Sequence, residues 1–166
     1  VPFRWTEMAW REEGKMPIGD ICVLDVITCN RDTKIDEIAQ LMRRHHVGDV
    51  VVIEESKGRL VPVGIITDRD IVASVIALEL DPTIFSAGDL LSRPVVTAPE
   101  DLGVFEAIQL MRKNGVRRMP IVNQSGALQG IISIDDLIEL LAAEMSELAK
   151  LISREQSEEI RRKPTD

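Results

Sequence analysis

Hydrophobic and polar positions follow one order along this chain, and the order occurs twice. Val26-Ile27-Thr28 reads as a short strand. Behind it, Ile35, Ile38, Ala39, Leu41 and Met42 recur at helical spacing, with Asp32-Thr33 as the predicted N-cap. Val50-Val51-Val52-Ile53 is a continuous apolar run, which predicts a buried strand. The polar hairpin Glu55-Ser56-Lys57-Gly58-Arg59 then leads to a partner strand, Pro62-Val63-Gly64-Ile65-Ile66. A helix from Asp68 to about Ala77 closes the unit. In the second passage Val95-Val96-Thr97 is the short strand, and Asp101 is the predicted N-cap. Leu102, Phe105, Ala107, Ile108 and Met111 form the helical face, and Gly115 is the stop. Met119-Pro120-Ile121-Val122 and Leu128-Gln129-Gly130-Ile131-Ile132 make the next pair of strands, and a helix starts at Ile134.

The residues repeat as well as the pattern. Gly64-Ile65-Ile66-Thr67-Asp68-Arg69-Asp70-Ile71 returns as Gly130-Ile131-Ile132-Ser133-Ile134-Asp135-Asp136-Leu137. Leu41-Met42-Arg43 returns as Leu110-Met111-Arg112, Thr28 as Thr97 and Gly19-Asp20 as Gly88-Asp89, all 69 residues apart. The offset falls to 66 at the glycine motif, because the second hairpin is the shorter, and loops tolerate such changes. Neither small unit is expected to bury its apolar faces alone, so the pattern predicts one core shared by the two halves. The expected divisions are an extension at 1–15, a first repeat at 16–80, a linker at 81–87, a second repeat at 88–143 and an amphipathic helical extension at 144–166.

Strand, helix, strand, strand, helix in tandem is an α/β arrangement, and here the chain resembles the CBS-domain pair, or Bateman module. The resemblance runs from about Ile18 to Ala143. It rests on the glycine-hydrophobic-Thr/Ser-x-x-Asp motif in both copies, on the run Val116-Arg117-Arg118-Met119-Pro120-Ile121-Val122, and on Thr28 and Thr97 ending their first strands. It implies a stand-alone pair of β-α-β-β-α repeats packed as one pseudo-twofold module, with the C-terminal helix extended beyond it.

Thr67 with Asp70, and Ser133 with Asp136, place a hydroxyl and a carboxylate three residues apart at a strand-to-helix junction. One reading is a capping box, in which each satisfies an amide of the helix start. The other is a ligand site. A helix N-terminus offers amides to an anion, and a carboxylate accepts the two hydroxyls of a ribose. The resemblance implies that Asp70 and Asp136 hold ribose hydroxyls, that Thr67 and Ser133 lie near ribose or phosphate, and that Thr28 and Thr97 line an adenine. Val47, Val116 and Met119, with Pro120 in the same run, either wall a slot for the flat base or belong to ordinary core.

Phosphate needs a cation, and there the copies differ. Arg117 and Arg118 precede the second buried strand, where the resemblance implies phosphate contacts and where guanidinium geometry suits them; the alternative is a solvated surface pair. The first copy has Gly48 and Asp49 instead. Asp49 repels a phosphate unless Arg43, Arg44 or His46 compensates, so the two sites are expected to be unequal, with Arg118 the better anchor. Arg69 either contacts phosphate or pairs with a neighbouring carboxylate.

Charge and composition narrow the function. A formal net charge of −8 argues against nucleic-acid and anionic-membrane binding, which need clustered Lys and Arg. No apolar run approaches a membrane span. Cys22 and Cys29 are too few for a disulfide framework, which points to a reducing compartment and the cytoplasm. His45-His46 has no companion ligands for a metal, Cys29 has no visible base, and no catalytic constellation is recognisable. The expected function is a regulatory sensor of an adenosine-containing ligand (AMP, ADP or ATP, with NAD or S-adenosylmethionine as alternatives) that signals by a change of shape or association and is not an enzyme. The other class is an interaction module that binds no small molecule. Leu137, Leu141, Met145, Leu148 and Ile152 continue as an apolar stripe past the repeat, expected either to pack on the same chain or to meet a homodimer partner or protein effector. From Glu155 onward the chain is polar enough to fray. Val1 to Lys15 concentrate Phe3, Trp5 and Trp10, either as a non-native extension ahead of Met16 or as an aromatic anchor for a partner.

Overall fold

Two three-stranded sheets, one per repeat, organise the computed structural model, which describes the backbone of residues 16–162 and side chains through Glu155. The aromatic prefix, and with it the expectations for Phe3, Trp5 and Trp10, lies outside the described residues. The first repeat contains β1 (Thr28–Asn30), α1 (Ile35–His45), β2 (Asp49–Ser56), β3 (Arg59–Thr67) and α2 (Asp68–Ile71), which runs on as a π turn over Val72–Ile76. After α3 (Ala87–Leu90), the second contains β4 (Ala98–Pro99), α4 (Val104–Asn114), β5 (Arg118–Val122), β6 (Leu128–Ser133) and α5 (Ile134–Arg162). In both sheets the first strand pairs parallel with the second, and the second antiparallel with the third. Gly115 stops α4 at φ 64°, and His46 does the same for α1 at φ 55°.

The expected single shared core is replaced by two. One gathers Ile35, Ile38, Met42, Val50, Val52, Ile66 and Val75; the other gathers Ala107, Met111, Met119, Ile121, Ile132 and Leu137. Neither is built from one repeat's sequence alone. Ile18, Ile21 and Cys22 belong to the second core, and Ala87, Phe85, Leu90 and Leu91 pack into the first. Each repeat's leading segment therefore crosses to the other repeat. The crossing is symmetric to the residue: Pro17 bridges Gly103, and Lys34 bridges Ser86, both partners displaced by 69 positions.

This exchange explains where the elements begin. Val23 exchanges two backbone hydrogen bonds of 2.9 Å with Ile131 of the other sheet, so the chain joins its own sheet only at Thr28. Thr28 thus opens its strand rather than ending it, and Thr97 stands just before β4. Neither helix uses the expected acidic N-cap. Thr33 Oγ1 accepts from the Asn30 amide at 3.1 Å and closes the preceding turn, while Lys34 and Gly103 occupy the cap positions. The first helical amides are satisfied by the crossing segments instead: Ile35 donates to the Phe85 carbonyl at 3.1 Å, and Val104 to that of Met16 at 3.2 Å. Two helical positions depart from expectation, because Ala39 is exposed and Phe105 projects into solvent at 72% exposure.

The glycines of the repeated motif acquire a reason here. A Cβ on Gly64 would collide with the Leu91 side chain, and one on Gly130 would stand 2.5 Å from Cys22 Sγ and 2.9 Å from the Val23 carbonyl oxygen. Leu91 and Cys22 are themselves equivalent positions of the crossing segments. The bare strand surface is what lets those segments lie down.

α5 spans 29 residues and outlasts the repeat. Leu137 and Leu140 are buried, but Leu141, Met145, Leu148 and Ile152 are exposed, so the stripe does not pack on its own chain among the described residues. The helix continues to Arg162, past the point where polarity predicts fraying, since Glu, Gln and Arg are themselves good helix formers.

Candidate functional site

Both strand-to-helix junctions close as complete capping boxes. At the end of β3, the Thr67 amide and hydroxyl donate to Asp70 Oδ2 at 2.9 and 2.7 Å, and the Asp70 amide donates back to Thr67 Oγ1 at 3.2 Å. At the end of β6, Ser133 and Asp136 repeat this at 2.7, 2.6 and 3.2 Å. The capping role is therefore real. It leaves chemistry unspent, because each carboxylate receives its bonds on Oδ2 and keeps Oδ1 for an outside donor such as a sugar hydroxyl. Asp70 is exposed and Asp136 half-buried.

Between the junctions lies the contact that sequence reasoning missed. Asp49 opens β2 opposite Thr67, and Arg118 opens β5 opposite Ser133. Arg118 Nε donates to Asp49 Oδ1 at 2.9 Å, with side-chain exposures of 35% and 15%. The signal was present, since Asp49 and Arg118 are equivalent positions 69 residues apart. Equivalent residues close to a pseudo-twofold axis meet each other. The hairpins also touch, where Arg59 Nη1 donates to the Ser125 carbonyl at 2.8 Å. Burial pushes the Asp49 carboxyl above the usual range; Arg118 offsets this in part, and Asp68 and Asp136 add to it.

The remaining candidates fall into three groups. Thr28, Thr97, Val47 and Val116 are half-buried at the same ends of the sheets, with Val47 and Val116 packed on the edges of the two cores. Met119 and Pro120 are buried, Met119 completely, within the second repeat. Arg69 and Arg117 are exposed; Arg117 stands 3.9 Å from Asp135, and the Arg69 amide donates to Asp68 Oδ1 at 2.7 Å. Arg118 is thus the half-buried cation of the group. Asp68 also lies beside Gly48, adding negative charge that the spacing alone did not place.

Elsewhere, a cleft of about 390 Å³ is lined by Pro17, Gly19, Asp20, Glu100, Asp101 and Gln124 among others, and it contains none of the candidate residues. Its acidic rim does not suit a phosphate. Burial raises the Cys22 thiol and pushes Cys29 up to about 11, which keeps both neutral and unreactive near pH 7. No group of His, Cys, Asp and Glu able to hold a metal occurs among the described residues, and no described helix is long and apolar enough to cross a membrane.

The sequence profile of the CBS domain matches residues 18–77 and again 87–143. An uncharacterised protein of Methanopyrus kandleri is 40% identical over 123 residues, 74% of this chain and 61% of that protein. The chain thus spans somewhat under two thirds of that relative. Among solved structures, a hexameric CBS-CP12 protein from bloom-forming cyanobacteria superposes with a TM-score of 0.67 at 26% identity, covering 75% of this chain and 67% of the other. The CBS domain of a bacterial CNNM/CorC family Mg2+ transporter, in complex with ATP, shares the fold with a TM-score of 0.64 at 20% identity, over 75% of this chain and 85% of that one.

Proposed function

The chain belongs to the CBS-domain family as a tandem pair, and we propose that it is a regulatory module that senses an adenine nucleotide at the junctions ending β3 and β6. The observation that carries this reading is the pair of hydroxyl–carboxylate junctions, each with an Oδ1 left for a ribose, flanking the half-buried Arg118. The same fold holds ATP in the transporter domain. In this reading Asp70 and Asp136 take ribose hydroxyls, Thr28 and Thr97 flank the adenine with Val47 and Val116, and Arg118 takes phosphate. Met119 and Pro120 support that wall from behind. The module performs no catalysis of its own, and NAD or S-adenosylmethionine would share the adenosine grip.

Binding becomes a signal only if the nucleotide prefers one arrangement of the repeats over another. The crossed leading segments supply a route, because each core contains a piece of the other repeat's sequence. A second copy of the chain, covering Met145, Leu148 and Ile152, is the proposed receiver of that change. The exposed stripe also favours a second reading, an interaction module in which the junctions only cap.

Thermal unfolding followed by circular dichroism distinguishes the two. AMP, ADP or ATP at a hundredfold excess over the dissociation constant stabilises a binding fold by about 2.7 kcal/mol. The midpoint should rise with adenine but not guanine nucleotides, and the rise should vanish in Asp136→Ala while that variant still unfolds cooperatively. No rise with any adenosine compound would transfer the assignment to the interaction module.

A further inference from the structure

Asp49 and Arg118 occupy one position in two copies of the same unit, and there they carry opposite charges in direct contact. Arg118 is the proposed phosphate cation, and the role of Asp49 rests on that nucleotide reading. We propose that Asp49 is a resident competitor for the ligand's phosphate, and that it makes the site select nucleotides of low negative charge. Its carboxylate occupies the anion position of Arg118, with Nε to Oδ1 at 2.9 Å. A phosphate reaching Arg118 must share or displace that oxygen.

The surroundings make displacement costly in proportion to the incoming charge. Asp49 lies opposite Thr67, and Arg118 opposite Ser133, so the pair links the two hydroxyl–carboxylate junctions. Only 15% of the Asp49 side chain is exposed, which leaves little water to screen the carboxylate once Arg118 turns away. Asp68 stands next to Gly48, and both Asp68 and Asp136 repel the charge on Asp49. The other cations are exposed: Arg117 faces Asp135, Arg69 lies between Asp68 and Asp70, and Arg43, Arg44 and His46 stand in solvent at the end of α1. One phosphate exchanges one anion for another on Arg118. Each further phosphate adds charge to a region already dominated by carboxylates. The specificity therefore lies with a nucleoside monophosphate rather than a triphosphate.

Calorimetric titration of adenosine, AMP and ATP into the wild-type chain and Asp49→Asn tests this. The Asn carbonyl still accepts from Arg118 Nε, so the fold is retained with the charge removed; Asp49→Ser serves if Asp49→Asn does not fold. The wild type should bind AMP more tightly than ATP. In the variant ATP should tighten about tenfold or more, within the span that one like-charge contact covers between bulk water and a protein surface, AMP should gain less, and adenosine should not change. An equal change for all three ligands, or none, would overturn the role of Asp49 while leaving the nucleotide site standing. If neither chain binds any of the three, the nucleotide reading falls and the role of Asp49 falls with it.

Discussion

The two repeats share a backbone and differ in what they do with it. Both end their third strand in the same hydroxyl–carboxylate box, and both receive a crossing segment over a motif glycine. At the matched positions that open β2 and β5, however, one carries Asp49 and the other Arg118. Past the box, the first repeat ends its helix in a π turn over Val72–Ile76, while the second runs on for 29 residues. Duplicated geometry is retained where the backbone needs it, while charge diverges at the half-buried contact between the repeats and length diverges at the exposed end of α5.

The largest effect on this comparison should come from the helix that only one repeat extends. Leu148 is 59% exposed, so Leu148→Glu should leave the circular dichroism spectrum unchanged. If a second copy covers the stripe, the variant should raise the dimer dissociation constant about a hundredfold, as loss of an apolar anchor does. Sedimentation velocity reads this directly, and unchanged association would assign the stripe to another partner.

A smaller effect separates the motif glycines. Gly130→Ala sets a Cβ against the Val23 backbone oxygen as well as Cys22, whereas at Gly64 the obstacle is the Leu91 side chain alone. Urea denaturation should show Gly130→Ala destabilised by about 1–3 kcal/mol, with Gly64→Ala at the low end of that range. Equal losses would show that the two crossings are equally rigid.

The smallest effect concerns the charge that the first repeat alone buries. Burial raises the Asp49 carboxyl above its unfolded value, an effect Arg118 only partly offsets and Asp68 and Asp136 reinforce. The folded state therefore favours the protonated form. Its contribution is greatest below about pH 4, the unfolded value, and is lost as pH rises through the folded value. Asp49→Asn should raise the unfolding midpoint modestly at pH 7 and converge with wild type at low pH. A lower midpoint at pH 7 would mean that the Arg118 attraction outweighs desolvation.

Much of this molecule was legible in its residues. The α/β order, the duplication, the Gly115 stop, the hydroxyl–carboxylate boxes and the buried runs at Val50–Ile53 and Met119–Ile121 all arise from local periodicity and short-range hydrogen bonding, which a single sequence records. The charge difference at Asp49 and Arg118 was equally visible, and only its meaning was not. Tertiary structure alone decided that the leading segments exchange repeats, so that Ile18 and Ala87 each complete the other core and helix starts take their caps from Met16 and Phe85. It also turned two separately read charges into one ion pair across the pseudo-twofold axis. Those outcomes depend on contacts between residues as far as 108 positions apart, as at Val23 and Ile131, for which hydrophobic pattern supplies no address.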